Sequence, residues 1–270
     1  MKRAISGLGA LAVSALFIAA TLSIANAADM TVKAPPPAPA PVNNWTGFYI
    51  GVNGGGVWGR TDPGYVNNTG FVSSIANQLQ QAEGPNFNNS GGLAGGQIGY
   101  LAEFGKLVMG LEASFDWMKA DGSNGTTASY VSFPAITYSF TEKVSSNWLA
   151  LFTARVGWNM GNWYPYITGG LAVADFKYAS SYSDNNGPGW FGAGSFEQVK
   201  TGPTVGGGLE WRFDNHWSLR GEYLYVSFSR LSNGTYSIFN TAFAPPNGGS
   251  FGFSPKFSES IARAALSYKF

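Results

Sequence analysis

The sequence predicts an all-β protein, an eight-stranded antiparallel up-and-down barrel that crosses a membrane. Three observations carry that expectation. Eleven-residue segments of alternating apolar and polar character recur eight times after Trp45. Every charged residue inside them falls on one of their two faces, and the opposite face ends in an aromatic ring at nearly every short turn or terminus. Composition agrees with this reading. Charged residues make up 11% of the chain and aromatics 16%, whereas a soluble domain averages about 25% charged residues. With no Cys there is neither a disulfide framework nor a thiolate metal site, and a net charge of +1 offers no basic footprint for nucleic acid.

Taken in order, residues 1–27 read as a secretory signal peptide: Lys2 and Arg3 form its positive start, an apolar run follows, and Ala25-Asn26-Ala27 is a small-x-small cleavage site. Residues 28–44 hold the segment APPPAPAPVNN and read as an extended Pro-rich periplasmic leader. Residues 45–270 are the barrel. No run of 18 apolar residues occurs there, so crossing falls to strands. The strands are expected at 48–58, 94–104, 107–117, 148–158, 163–173, 203–213, 217–227 and 260–270. Segment 107–117 shows the pattern most plainly: Leu107, Met109, Leu111, Ala113, Phe115 and Trp117 alternate with Glu112, Ser114 and Asp116. A strand tilted at about 45° needs about 9 to 11 residues to cross the hydrocarbon layer, which these spans supply.

The connections alternate in length. Short ones lie at 105–106, 159–162 and 214–216, and long ones follow Trp58, Trp117, Val173 and Ser227, which makes an antiparallel meander with both termini on the short-turn side. The long stretches read as loops, including 59–93 with a short helix around 72–81, and 119–146. Their aromatics, among them Tyr130, Phe133, Tyr138, Trp190, Phe191, Phe239, Phe243 and Phe251, are expected to pack the loops on one another rather than to bind a flat ligand.

In the frame that places Phe48, Phe104, Leu107, Trp158, Trp163, Phe213, Trp217 and Phe270 on one face, the other face carries five acids and five bases. The acids are Glu103, Glu112, Asp116, Glu210 and Glu222; the bases are Arg155, Arg212, Arg220, Arg263 and Lys269. A soluble barrel would turn its apolar face inward, so balanced charge confined to one face puts lipid on the other. Glu210 with Arg212, and Arg220 with Glu222, alternate along adjacent strands and suggest a charge-paired plug. Eight strands leave a lumen that side chains alone can fill.

Catalytic chemistry has little support. His216 is the only His and sits in a tight turn; no Gly-x-Ser-x-Gly elbow occurs, and the inward carboxylates have basic neighbours rather than a glycosidase partner. No acidic loop has calcium-binding spacing. The Gly triplets at 54–56 and 206–208 suit barrel curvature and close packing better than phosphate binding, because neither opens a helix. The expectation is a protein that is not an enzyme and carries no metal or cofactor.

The segments WTGFYIGVNGGG, VMGLEASFDW, ARVGW, YPYITGGLA, GGGLEWRF, WSLRGEYLY and ARAALSYKF occur in that order and spacing. Together they resemble the outer-membrane β-barrel proteins of alphaproteobacteria, the porin-family major surface antigens, which are similar to opacity-type antigens and to the transmembrane domain of outer membrane protein A. The resemblance implies a structural, surface-antigen role. It also implies contacts with outer-membrane lipid and lipopolysaccharide, handling by periplasmic chaperones and the barrel-assembly machinery, and an assembly signal in Phe270, Tyr268 and Leu266. The chain ends at Phe270, so the peptidoglycan-binding domain of outer membrane protein A is not expected. Two alternatives stay open: a passive small-solute channel, and a loop-based module for adhesion or for a ligand such as haem.

Overall fold

The computed structural model describes residues 44–69, 77–79, 81, 86–232, 234–240 and 249–270. The expected signal peptide and all of the leader except Asn44 lie outside the described residues, as does Phe243. Of the expected helix at 72–81, residues 77–79 and 81 are helical and the rest lie outside the described residues.

The strands in chain order are β1 (Gly47–Asp62), β2 (Tyr65–Thr69), β3 (Phe87–Phe104), β4 (Leu107–Ser129), β5 (Thr137–Trp158), β6 (Trp163–Asp184), β7 (Trp190–Arg212), β8 (Trp217–Ser227), β9 (Gly234–Ser237), β10 (Phe239–Asn240), β11 (Ser250–Phe253) and β12 (Lys256–Lys269). Eight of them, β1, β3 to β8 and β12, pair antiparallel with their neighbours in chain order. The ring closes where β12 meets β1, in register from Tyr49 opposite Lys269 to Asp62 opposite Lys256. Among the described residues, closure pairs every strand on both sides at the level of the apolar band, as a bilayer requires. Gly105 turns β3 into β4 with φ of +66°, a conformation that favours Gly.

Alternation fixes the two faces. Phe48, Phe104, Trp158, Trp163, Phe213, Trp217 and Phe270 are exposed at the short-turn end; Trp58, Trp117 and Tyr225 are exposed further along, and Trp148 is half-buried there. The apolar band lies between these two rings. Register shifts mark its upper limit, between Trp117 and Ala120 on β4 and between Ser145 and Leu149 in the β5–β6 pairing. Asp175 caps the irregularity in β5: its carboxylate accepts the backbone N–H groups of Asn147 and Trp148, each at 2.9 Å. This satisfies donors that the ladder leaves unpaired.

Above that level the structure corrects the sequence reading. Most of 119–146 and of the stretch after Val173 is strand, not loop: β4 and β5 continue to Ser129 and Thr137, and β6 and β7 to Asp184 and Trp190. Alternation persists there, but water replaces lipid outside, so the outward residues become Lys119, Asp121, Ser123, Gly125 and Thr127. A small sheet of β2, β11 and β9 covers the far end.

The interior has two layers. The half near the short turns holds charged and hydroxyl groups. The far half is mainly apolar and aromatic, with Val57, Met118, Leu149, Leu151, Phe176, Leu224, Phe228, Phe257 and Ile261 all buried beside the carboxylates Glu142 and Glu259. Phe251 and Phe253 of β11 and Tyr236 of β9 join that layer, and Phe176 stacks on Phe257 at 4.3 Å. The expected loop packing therefore holds for Tyr130, Tyr138 and Phe251, which are buried, whereas Phe133, Phe191 and Phe239 remain exposed.

Candidate functional site in the barrel lumen

Seven of the ten inward charges meet in one cluster, with Glu112 of β4 at its centre. Both carboxylate oxygens of Glu112 accept from Arg220, at 2.7 and 3.1 Å. Arg155 stands 3.1 Å away and Arg263 3.3 Å away, and Tyr49 donates its hydroxyl to the same carboxylate at 2.8 Å. Arg263 also reaches Glu222 at 2.7 Å and Asp116 at 3.3 Å. Arg155 pairs with Glu210 at 3.3 Å, and Glu210 in turn accepts the Ser218 hydroxyl at 2.6 Å. Tyr166 donates to Glu222 at 2.7 Å. The Arg155 guanidinium lies 5.1 Å from the ring centroids of both Tyr49 and Tyr166, where aromatic faces favour a cation.

The pairing differs from the sequence expectation. Glu210 faces Arg220 in the β7–β8 register, yet it bonds Arg155 of β5. Arg220 of β8 reaches Glu112 of β4, two strands that are not neighbours in the ring. Four of the six ion pairs thus join strands that are not neighbours, while Arg155 with Glu112 and Arg263 with Glu222 join adjacent ones. Physically, Arg and Glu side chains are long enough to meet inside a narrow barrel, and bidentate geometry outweighs proximity along the wall. Glycine makes room for this. A Cβ on Gly55 would lie 2.1 Å from the Ala262 carbonyl oxygen and 2.9 Å from the Arg263 Cβ, and one on Gly208 would lie 2.5 Å from the Tyr166 hydroxyl.

The other three charges, Glu103, Arg212 and Lys269, lie apart from this cluster at the short-turn rim, around Trp45. Glu103 accepts the Trp45 backbone N–H at 2.7 Å and the Asn159 side-chain amide at 2.6 Å. Arg212 lies over the Trp45 ring at 3.9 Å and donates to the Asn44 carbonyl, which Lys269 also reaches. Trp45 itself is buried, closing this end. Leu266 and Phe270 face outward and Tyr268 is half-buried, its ring against Trp217 and His216. The Phe270 N–H donates to the Phe48 carbonyl at 3.0 Å, tying the last residue to the first strand.

Sequence reasoning missed three buried carboxylates beyond the expected strands, Glu142, Asp175 and Glu259. Glu259 continues the inward parity of β12 past the expected membrane boundary, and that parity was the available signal; Glu142 does not, because the irregularity between Ser145 and Leu149 switches the inward positions of β5 from odd to even. Tyr178 donates to Glu142 at 2.5 Å and Asn124 at 3.4 Å; burial pushes the Glu142 carboxyl above its usual range despite these bonds. It also missed Tyr49 and Tyr166, whose hydroxyls point inward in strands that are apolar outside.

The whole arrangement, a closed antiparallel ring with an apolar exterior and ion pairs within, is that of a protein seated in a bacterial outer membrane. A family model, described as the outer membrane protein beta-barrel domain, matches residues 14–258. The chain belongs to the outer membrane β-barrel family. Among curated relatives, this outer membrane barrel is 32% identical over 214 residues to a 31 kDa outer-membrane immunogenic protein of Brucella melitensis, covering 76% of this chain and 82% of that one. It is 26% identical over 204 residues to a 22 kDa outer membrane protein of Rhizobium leguminosarum bv. viciae, covering 73% and 72%. The solved outer membrane protease OmpT of Escherichia coli overlays with a TM-score of 0.43 at 8% identity, covering 87% of this chain and 99% of that one. Neisserial surface protein A overlays with a TM-score of 0.35 at 12% identity, covering 83% and 98%. Neither overlay bears on chemistry. The location in the outer membrane and the all-β barrel follow from the family.

Proposed function

We infer that this outer membrane barrel is a structural, surface-exposed antigen with a sealed lumen, and that it is not an enzyme. The cross-lumen cluster centred on Glu112 carries the reading, because three guanidinium groups and four carboxylates occupy the space a solute would need. The aromatic layer above it supports the same conclusion. The absence of a catalytic role is supported by His216, which is exposed in its turn with its ring against Tyr268. The antigen role is supported by the immunogenic relative from Brucella and by the exposed turns at Pro134 and Asn186. Residues 1–27 act as the export signal, residues 28–44 as a periplasmic leader, and Phe270, Tyr268 and Leu266 as the sequence read by the barrel-assembly machinery. Liposome swelling tests the reading against the channel alternative. Vesicles holding the protein should swell in small sugars no faster than empty ones; rapid swelling would make the protein a solute channel.

A further inference from the structure

The outer wall carries a groove of about 680 Å³ above the aromatic ring of β4 and β5, lined by Asn88, Asp121, Ser123, Lys143, Ser145 and Lys177. Three features set it apart from an ordinary solvated face. First, it runs over the outer face of β3 to β6, directly continuing the lipid-facing surface that ends at Trp117 and Trp148. Four residues separate Trp117 from Asp121, so the groove lies roughly 10 Å higher at a rise of about 3.3 Å per residue and a tilt of about 40°. That is the depth of the phosphorylated headgroups, just outside the hydrocarbon.

Second, its two ammonium groups converge. Lys143 faces Ala179 in the β5–β6 register, and Lys177 lies two residues from Ala179 on the same outer face, a diagonal spacing that lets both side chains reach one anion. Neither lysine makes an ion pair among the described residues. Third, the flanking lining groups are hydroxyls and an amide, Ser123, Ser145 and Asn88, which suit phosphate and sugar oxygens. Asp121 is the one acid of the lining, and Glu197 faces Lys177 across the β6–β7 pair; both oppose an anion.

We propose that this groove is a binding site for the phosphorylated headgroup of an outer-leaflet glycolipid, with Lys143 and Lys177 on a phosphate and Ser123, Ser145 and Asn88 on the sugar. A soluble anion would be a poorer occupant, because the groove opens sideways above the lipid-facing wall and gains from a ligand already held at that depth. The proposal goes beyond the sealed-lumen reading and does not depend on it.

The test uses the full barrel refolded in detergent and native mass spectrometry with diphosphorylated lipid A, dephosphorylated lipid A and inorganic phosphate as probes. Heat-modifiable gel migration checks that each variant is folded. Wild type should hold diphosphorylated lipid A. K143A/K177A should bind it about thirty-fold more weakly and each single variant about five-fold more weakly, given the worth of one basic residue at a membrane surface. K256A, exposed at similar height on β12, should bind as wild type does, and D121N should bind more tightly. Unchanged affinity in K143A/K177A, an equal loss in K256A, equal binding of dephosphorylated lipid A, or equal competition by inorganic phosphate would overturn the assignment. Vesicle swelling is read separately, so failure here leaves the sealed lumen standing.

Discussion

Replacing Glu112 by Gln removes one charge from the cluster while keeping its volume and one acceptor oxygen. The consequence follows from the contacts. Arg155 retains Glu210, and Arg263 retains Glu222 and Asp116, but Arg220 loses its one ion pair among the described residues. The side chains of Arg220 and Glu112 are each 1% exposed, so water cannot take the carboxylate's place. Breaking a buried pair by removing one partner costs about 3–5 kcal/mol. The exposed pair of Arg230 with Asp62, at 2.9 Å but with side chains 49% and 44% exposed, is the internal comparison; its loss should cost less than about 1 kcal/mol. Equilibrium urea unfolding of the barrel from lipid vesicles, followed by tryptophan fluorescence, reads both values. The double variant E112Q/R220M, which removes both charges, should recover most of the loss, because paired removal leaves nothing stranded. If E112Q unfolds within about 1 kcal/mol of wild type, or if the double variant is no better than E112Q alone, Glu112 is not the centre of the cluster.

Further outcomes follow from other parts of the molecule. A Cβ at Gly55 would meet backbone and the Arg263 stem, so G55V should lower the yield of heat-modifiable folded barrel, while G221A, at a position with open space around it, should affect it much less. Epitope tags at Pro134 or Asn186 should be labelled on intact cells, whereas a tag at Asn215 should require permeabilisation. Deleting Phe270, which is 72% exposed on the lipid face and bonds Phe48, should reduce outer-membrane yield more than deleting residues 34–44. Glu142 has its folded-state pKa raised by burial, so its ionisation costs stability as pH rises from the unfolded pKa through the folded one. E142Q should therefore match wild type at pH 3 and be more stable at pH 8, and equal stability at both would show that Glu142 is solvated.

The eight strands were legible because lipid and lumen impose opposite chemistry on alternate residues, and segment 107–117 shows both in one stretch. The extensions were not legible for the converse reason. With water outside, Ser123, Gly125 and Thr127 carry no contrast against a loop, although the pairing of β4 with β5 runs on to Ser129 opposite Thr137. Parity likewise placed Glu112, Arg155 and Arg220 on one face, but which of them meet depends on reach across the lumen. That distance is set by ring closure and not by position along the chain, so the alternation of Glu210 and Arg212 with Arg220 and Glu222 on adjacent strands does not show that Arg220 bonds Glu112. Glu103, Arg212 and Lys269 share the inward parity yet lie at the rim, since parity carries no information about which side chains converge.

Single-channel recording on the purified barrel in planar bilayers is the most direct test of the sealed lumen. Wild-type protein should insert without steady conductance if the cluster around Glu112 and the buried aromatic layer around Phe176 and Phe257 seal the lumen as proposed. Large, steady openings from wild-type protein would contradict the account and make the barrel a solute channel.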